Sequence, residues 1–101
     1  MKKYNVVIMS LAEKDINEIF SYIANESIEN ANKVLEDFYK VFENLELYPF
    51  MFKEINKILV NKKDYRLIQV DNYLIFYKIN TKNVYIMRII HSKRNYNFLL
   101  N

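Results

Sequence analysis

Asp64-Tyr65-Arg66-Leu67-Ile68-Gln69-Val70-Asp71-Asn72-Tyr73-Leu74-Ile75-Phe76-Tyr77-Lys78-Ile79-Asn80-Thr81-Lys82-Asn83-Val84-Tyr85-Ile86-Met87-Arg88-Ile89-Ile90-His91 is the stretch whose reading decides the fold. It divides into three runs rich in β-branched and aromatic residues, Asp64–Val70, Tyr73–Asn80 and Asn83–His91, a composition that suits strands. Asp71-Asn72 separates the first two by the length of a tight hairpin turn, and Asn80-Thr81-Lys82-Asn83 makes the second turn. The chain has no glycine, so Asn and Asp are the residues best able to take the left-handed backbone such turns need. The expected product is a three-stranded antiparallel meander. Strict alternation puts Leu74 and Phe76 on one face and Tyr73, Ile75, Tyr77 and Ile79 on the other. In the last strand it opposes Val84, Ile86, Arg88 and Ile90 to Tyr85, Met87, Ile89 and His91. Both faces are apolar enough that alternation alone leaves open which one is covered. A guanidinium among aliphatic neighbours at Arg88 either snorkels to the sheet edge or is held by an acceptor.

Upstream of the meander the period changes. Residues 53–63 read equally as a basic loop or a short extra strand. Before them, Ala31, Val34, Leu35, Phe38, Phe42 and Leu45 form the apolar stripe of a helix, with Ser27 as its cap and Glu29 near its N-terminal dipole. Pro49 ends it, lacking an amide and restricting Tyr48. Ala12, Ile16, Ile19, Phe20 and Ile23 mark one face of an earlier helix running to about Asn25. Ser10-Leu11-Ala12-Glu13 has capping-box spacing at its start. Residues 3–9 read as a first strand. The order is strand, helix, helix, meander: an α+β domain in which a helical hairpin packs on one sheet, with residues 1–101 forming a single domain.

Composition narrows the chemistry. The 101 residues contain no cysteine, no glycine and one histidine, His91. That excludes a thiol nucleophile, Cys-ligated metals, the P-loop and the dinucleotide fingerprint, and no cofactor or metal is expected. No export signal or membrane-length apolar run is visible, so a cytoplasmic location is expected. The net charge of +3 is unevenly placed. Residues 1–52 hold five lysines against nine carboxylates, whereas residues 53–101 hold seven lysines and all three arginines against three carboxylates. A basic C-terminal half expected to gather into one contiguous patch points to a polyanionic or acidic partner.

Groups able to do chemistry concentrate near the C-terminus: Arg88, His91, Lys93, Arg94 and Tyr96. RNA cleavage by 2′-hydroxyl attack needs a base, an acid and cations against the phosphorane charge, and no metal. His91 suits acid or base, since an unperturbed imidazole titrates at ~6.5. Arg94 suits a phosphate clamp, and Tyr96 a stacking ring or proton donor. The same residue types also serve plainer ends: Lys93 and Arg94 as solvated charges, Tyr96, Phe98, Leu99 and Leu100 tacking the terminus to the core, and Arg66 as a structural cation on an aromatic face.

In order and spacing, the chain resembles the RelE/ParE superfamily of bacterial type II toxin–antitoxin toxins over nearly its whole length. The match is carried by Val6-Val7-Ile8-Met9-Ser10-Leu11-Ala12-Glu13-Lys14-Asp15-Ile16, Leu45-Glu46-Leu47-Tyr48-Pro49, Tyr65-Arg66-Leu67-Ile68-Gln69-Val70 and Asn72-Tyr73-Leu74-Ile75-Phe76-Tyr77. Arg88-Ile89-Ile90-His91 with Arg94-Asn95-Tyr96 completes it. The resemblance implies a growth-inhibiting, plasmid-stabilising toxin neutralised by a cognate antitoxin, as a homodimer or a toxin–antitoxin hetero-oligomer. Ribonuclease members commonly carry Tyr-Arg-x-x-Tyr in the middle strand, where this chain has Tyr73-Leu74-Ile75-Phe76-Tyr77. That departure and the Arg88, His91, Arg94 spacing are similar to the ParE branch, which poisons DNA gyrase, and imply target contacts at Arg66, Arg88, Lys93 and Arg94. The alternative is a ribosome-dependent, metal-independent mRNA endoribonuclease using His91, Arg94 and Tyr96. A third reading is an RNA-binding or regulatory module, which would bind without arresting growth.

Overall fold

The computed structural model describes residues 3–52 and 65–94. Its elements run β1 (Asn5–Ile8), α1 (Ser10–Ala24), α2 (Ile28–Leu47), β2 (Tyr65–Val70), β3 (Tyr73–Asn80) and β4 (Asn83–His91). The expected α+β architecture is present. Residues 53–63, Tyr96 and the C-terminal apolar cluster lie outside the described residues.

The four strands form one mixed sheet in the order β1-β4-β3-β2. The meander is antiparallel, and β1 joins it by pairing parallel with β4, Asn5 opposite Asn83 and Ile8 opposite Ile86. Tyr73, Ile75, Tyr77 and Ile79 meet the helices, packing with Ala12, Ile16, Phe38, Phe42 and Leu45 in the main core. Leu74 and Phe76 point the other way, into a second buried cluster with Tyr65 and Ile90. Burial of β3 on both faces accounts for its nearly unbroken apolar run.

Alternation in β4 breaks at one place. Phe76 pairs with Arg88, but the next residue, Tyr77, pairs with Ile86, so Met87 is the extra residue of a β-bulge. The bulge reverses the facing of everything after it. Val84 and Ile86 point to the helices, and beyond the bulge it is Ile89, not Arg88, that joins the main core. Ile90 belongs to the second cluster. The strict alternation expected from sequence is therefore corrected for the last four residues of β4, and His91 comes to the helical side opposite Tyr73.

Both helices follow their apolar stripes, with one correction at a cap. Ser27 caps α2 as expected, its Oγ accepting the Asn30 N–H at 3.1 Å. Ser10 does not cap α1: it is the first helical residue, and Met9 takes the N-cap position without a side-chain bond. Met9 donates its N–H to the Ile86 carbonyl at 3.0 Å while its carbonyl accepts from Glu13 at 2.9 Å. The sheet thus hands the backbone directly to the helix, and no hydroxyl is needed at the junction. At the end of α2 the buried Tyr77 hydroxyl donates to the Pro49 carbonyl at 2.7 Å, and burial pushes its pKa up to about 12.

In each hairpin turn only the first central residue has positive φ, Asp71 at 52° and Thr81 at 60°. Asp tolerates this region, whereas a β-branched Thr is strained there. Thr81→Gly should therefore stabilise the fold by about 0.5–1 kcal/mol, the relief of left-handed strain less glycine's chain entropy. A higher urea midpoint at unchanged m-value would register it.

Candidate functional site

β1 covers the edge of β4 only as far as Ile86. Past that point a carboxylate takes over the task of a strand. Asp15, one turn into α1 and 7% exposed, accepts the Ile89 N–H at 2.9 Å. It also binds the Arg88 guanidinium through two bonds, Nε to Oδ2 at 2.7 Å and Nη2 to Oδ1 at 3.0 Å. Of the two settings open to Arg88, the structure selects the fixed acceptor. The hydrogen bonds that Arg88 donates to Asp15 raise its pKa further, despite the opposing effect of burial. The clamp holds α1 against the bulged half of β4.

Between α1, the β2–β3 turn and the end of β4 lies a cleft of about 530 Å³. Ile19, Ile23, Val34 and Ile89 give it an apolar lining, and Tyr22, Tyr73, His91 and Arg94 stand around it with the carboxyl groups of Asp15, Glu18 and Asp71. His91 packs edge-on against Tyr73, with ring centroids 5.3 Å apart at 79°. Its Nδ1 accepts the Lys93 N–H at 3.2 Å, which leaves Nε2 as the protonated nitrogen of the neutral ring. Arg94 donates its backbone N–H to the His91 carbonyl at 3.0 Å, and Ser92 donates to the Asn72 carbonyl at 2.7 Å. The turn carrying Lys93 and Arg94 is thereby tied to the β2–β3 hairpin. Burial raises the Tyr73 pKa, with Tyr22 and Asp71 adding to the effect.

The sequence-predicted residues are only partly united. His91 and Arg94 line the cleft, and Lys93 is exposed on the adjoining turn. Arg88 is not among the residues lining the cleft and is engaged with Asp15, which is. Arg66 stands apart: it pairs with Tyr77 on the outer strand, about 13 Å along β3 from the His91 level. There it donates to the Phe52 carbonyl, with its guanidinium 5.0 Å from the Phe50 ring centre. The three arginines thus occupy three separate settings rather than one patch, because two of them serve internal acceptors. Sequence reasoning did not single out Asp15, Glu18 or Asp71. The available signal was Asp15 next to Ile16, a carboxylate beside the apolar stripe of α1 with an arginine unassigned elsewhere. Among the described residues, His and carboxylates form no group able to hold a metal ion, and no helix is long and apolar enough to cross a membrane.

The family model described as ParE toxin of type II toxin-antitoxin system, parDE, matches residues 6–96. The chain belongs to this family. It is a toxin of a type II toxin–antitoxin system in the RelE/ParE superfamily. Among solved structures it is similar to the chromosomal ParDE toxin–antitoxin system of P. aeruginosa, with a TM-score of 0.73 at 15% identity, covering 90% of this chain and 98% of that one. It is also similar to the RelBE2 toxin–antitoxin complex of Mycobacterium tuberculosis, with a TM-score of 0.58 at 21% identity, covering 88% of this chain and 98% of the other. At these identities the likeness is one of fold. No curated protein matches the chain by sequence.

Two predictions follow from the electrostatics of this ParE-family cleft. Arg88→Met leaves the Asp15 carboxylate buried without its charge partner and should cost about 3–5 kcal/mol of stability, read from the urea midpoint. Asp71 behaves oppositely. A hydrogen bond with Asp37 raises its pKa, aided by burial and by Asp37's charge and opposed by Lys33. A carboxyl pKa raised by folding contributes stability below its unfolded value and loses it as pH rises through the folded one. Asp71→Asn supplies the donor at every pH and tolerates positive φ, so the variant should be the more stable protein at pH 7. Its advantage should shrink as pH falls through the ordinary Asp range near ~4, which thermal melts across pH 3–8 would show.

Proposed function

We propose that this toxin arrests growth in the cytoplasm by binding and poisoning DNA gyrase, and that a cognate antitoxin protein neutralises it. The family match supports the ParE branch, and the two similar structures are toxin–antitoxin systems by description. The observation that carries the choice of target is the make-up of the cleft. His91 and Arg94 share it with Asp15, Glu18 and Asp71, and carboxylates around a scissile phosphate oppose the negative charge that RNA cleavage must accommodate. Leu74, at the level of the strand where ribonuclease members place a cation, is 7% exposed and belongs to the second apolar cluster. Lys93 and Arg94, on the turn beyond β4, make the contact with the target, with Arg66 as a separate contact on the outer strand. Arg88 acts through Asp15, as a positioning residue that sets the β4 end against α1.

One arrangement favours the ribonuclease alternative. His91 and Arg94 line the same cleft, an imidazole and a guanidinium suited respectively to proton transfer and to phosphate contact. In that reading Tyr96 would join them, although it lies outside the described residues.

Purified gyrase separates the two readings. With toxin in excess, supercoiling should stop and DNA breaks accumulate, and Lys93→Ala with Arg94→Ala should weaken inhibition at least tenfold. Normal supercoiling would overturn the gyrase reading. Cuts mapped on translating mRNA, lost in both His91→Ala and Arg94→Ala, would establish the alternative.

A further inference from the structure

β1 stands last in the sheet, and among the described residues β4 is its one neighbour. Asn5 donates its N–H to the Lys82 carbonyl and Met9 to the Ile86 carbonyl. In a parallel ladder alternate residues face the same neighbour, so Asn5, Val7 and Met9 direct their backbone groups at β4. Val6 and Ile8 therefore turn an N–H and a C=O each away from the sheet. Edges of this kind are commonly guarded by a lysine, a proline or a bulge. Asn5-Val6-Val7-Ile8 contains no charge and no proline, and its register with β4 is unbroken. The strand's protection is its length of four residues, which limits pairing without preventing it.

Side chains and charges along this edge define what would pair there. Val6 and Ile8 pack against the main core, so Asn5 and Val7 stand on the outer face of the sheet. Val7, Met9 and Leu11 are 38%, 37% and 57% exposed. Lys3 precedes the strand and Glu13 follows it in the first turn of α1, and both are exposed. An antiparallel partner strand is best matched if it has an apolar centre, a carboxylate opposite the Lys3 end and a lysine opposite the Glu13 end. The same stretch of a second copy has that pattern.

We propose that two copies of this chain pair through β1, antiparallel about a two-fold axis at Val7. Val6 of each copy then exchanges both backbone bonds with Ile8 of the other. The two Val7 side chains meet at the non-hydrogen-bonded position, with Cα atoms about 4.5 Å apart, and Asn5 lies opposite Met9. Lys3 of each copy is carried toward the start of the other's α1, where Glu13 stands. The product is one continuous sheet with the two β1 strands at its centre, and the same patch serves both copies. So short a strand makes the association weak, with a Kd of about 100 µM. The inference goes beyond the proposed function and does not depend on the toxin's target.

Sedimentation equilibrium of the full chain, from about 5 µM to about 1 mM, brackets that constant. The mass should rise from monomer to dimer, and hydrogen exchange at the Val6 and Ile8 amides should slow as concentration increases. Val7→Lys sets two ammonium groups face to face on the axis and should weaken association about tenfold or more. Lys3→Glu should weaken it about fivefold through two symmetry-related pairs, and adding Glu13→Lys to the same chain should restore it. That rescue is read from mass, so a loss of stability in one variant does not imitate it. A monomer throughout the range, a dimer indifferent to Val7→Lys, or a double charge reversal that restores nothing would each overturn the proposal. So would protection of Val6 and Ile8 that appears only when the cognate antitoxin is added, which would assign the edge to a foreign strand. Gyrase inhibition is measured separately, so failure of the target assignment and failure of the pairing are distinguishable.

Discussion

A buried carboxylate is asked here to do the work of a missing strand. β1 ends where it pairs Ile8 with Ile86, and the chain leaves the sheet to begin α1, so the outer edge of β4 would otherwise present an unpaired N–H beneath a helix. Asp15 answers that need at Ile89 and requires Arg88 in return, because an ionised group at this depth must be both hydrogen-bonded and charge-paired. The bulge at Met87 sits immediately before this clamp. Together they set the phase of β4's last residues and hold α1 at the distance that leaves the cleft open. If Asp15 were apolar, neither the edge nor the bulge would have a reason to stay where it is.

The same bargain explains why the three arginines, all among the described residues, do not gather into one cationic face. Arg88 is committed to Asp15, and Arg66 to the Phe52 carbonyl and the Phe50 ring. The tie at Arg66 works with the Tyr77–Pro49 bond to pin the chain leaving α2 against the sheet. Meanwhile the acidic N-terminal half sends Asp15 and Glu18 to the cleft, and the β2–β3 turn adds Asp71. The two halves of the charge distribution meet there. A surface built this way discriminates between partners by local charge placement more than by bulk attraction.

Within the ParE family reading, the geometry sets two surfaces side by side. The exposed turn of Lys93 and Arg94 is the part proposed to meet the target, and the cleft beside it is lined by isoleucine side chains together with carboxylates, His91 and Arg94. The clamp and the Ser92–Asn72 bond, which joins the end of β4 to the neighbouring hairpin, hold both in place.

Local pattern determined most of the architecture. Six elements, their order, both helical stripes and the Ser27 cap were legible because each depends on the 3.6- or two-residue spacing of apolar side chains and on turn residues nearby in the chain. His91 and Arg94 were legible as candidates because their chemistry is a property of the residue type. Tertiary structure alone decided what those residues face. The bulge at Met87 shifts the facing of every residue after it, so alternation could not foresee that Ile89 and His91 would turn toward the helices. Met9 replaced Ser10 as a cap because its amide was already engaged by Ile86. Asp15 meets Arg88 across 73 residues, and Asp71 meets Asp37 between a turn and a helix. Partners that distant leave no periodic trace, because electrostatic pairing is set by proximity in the fold and not by position along the chain.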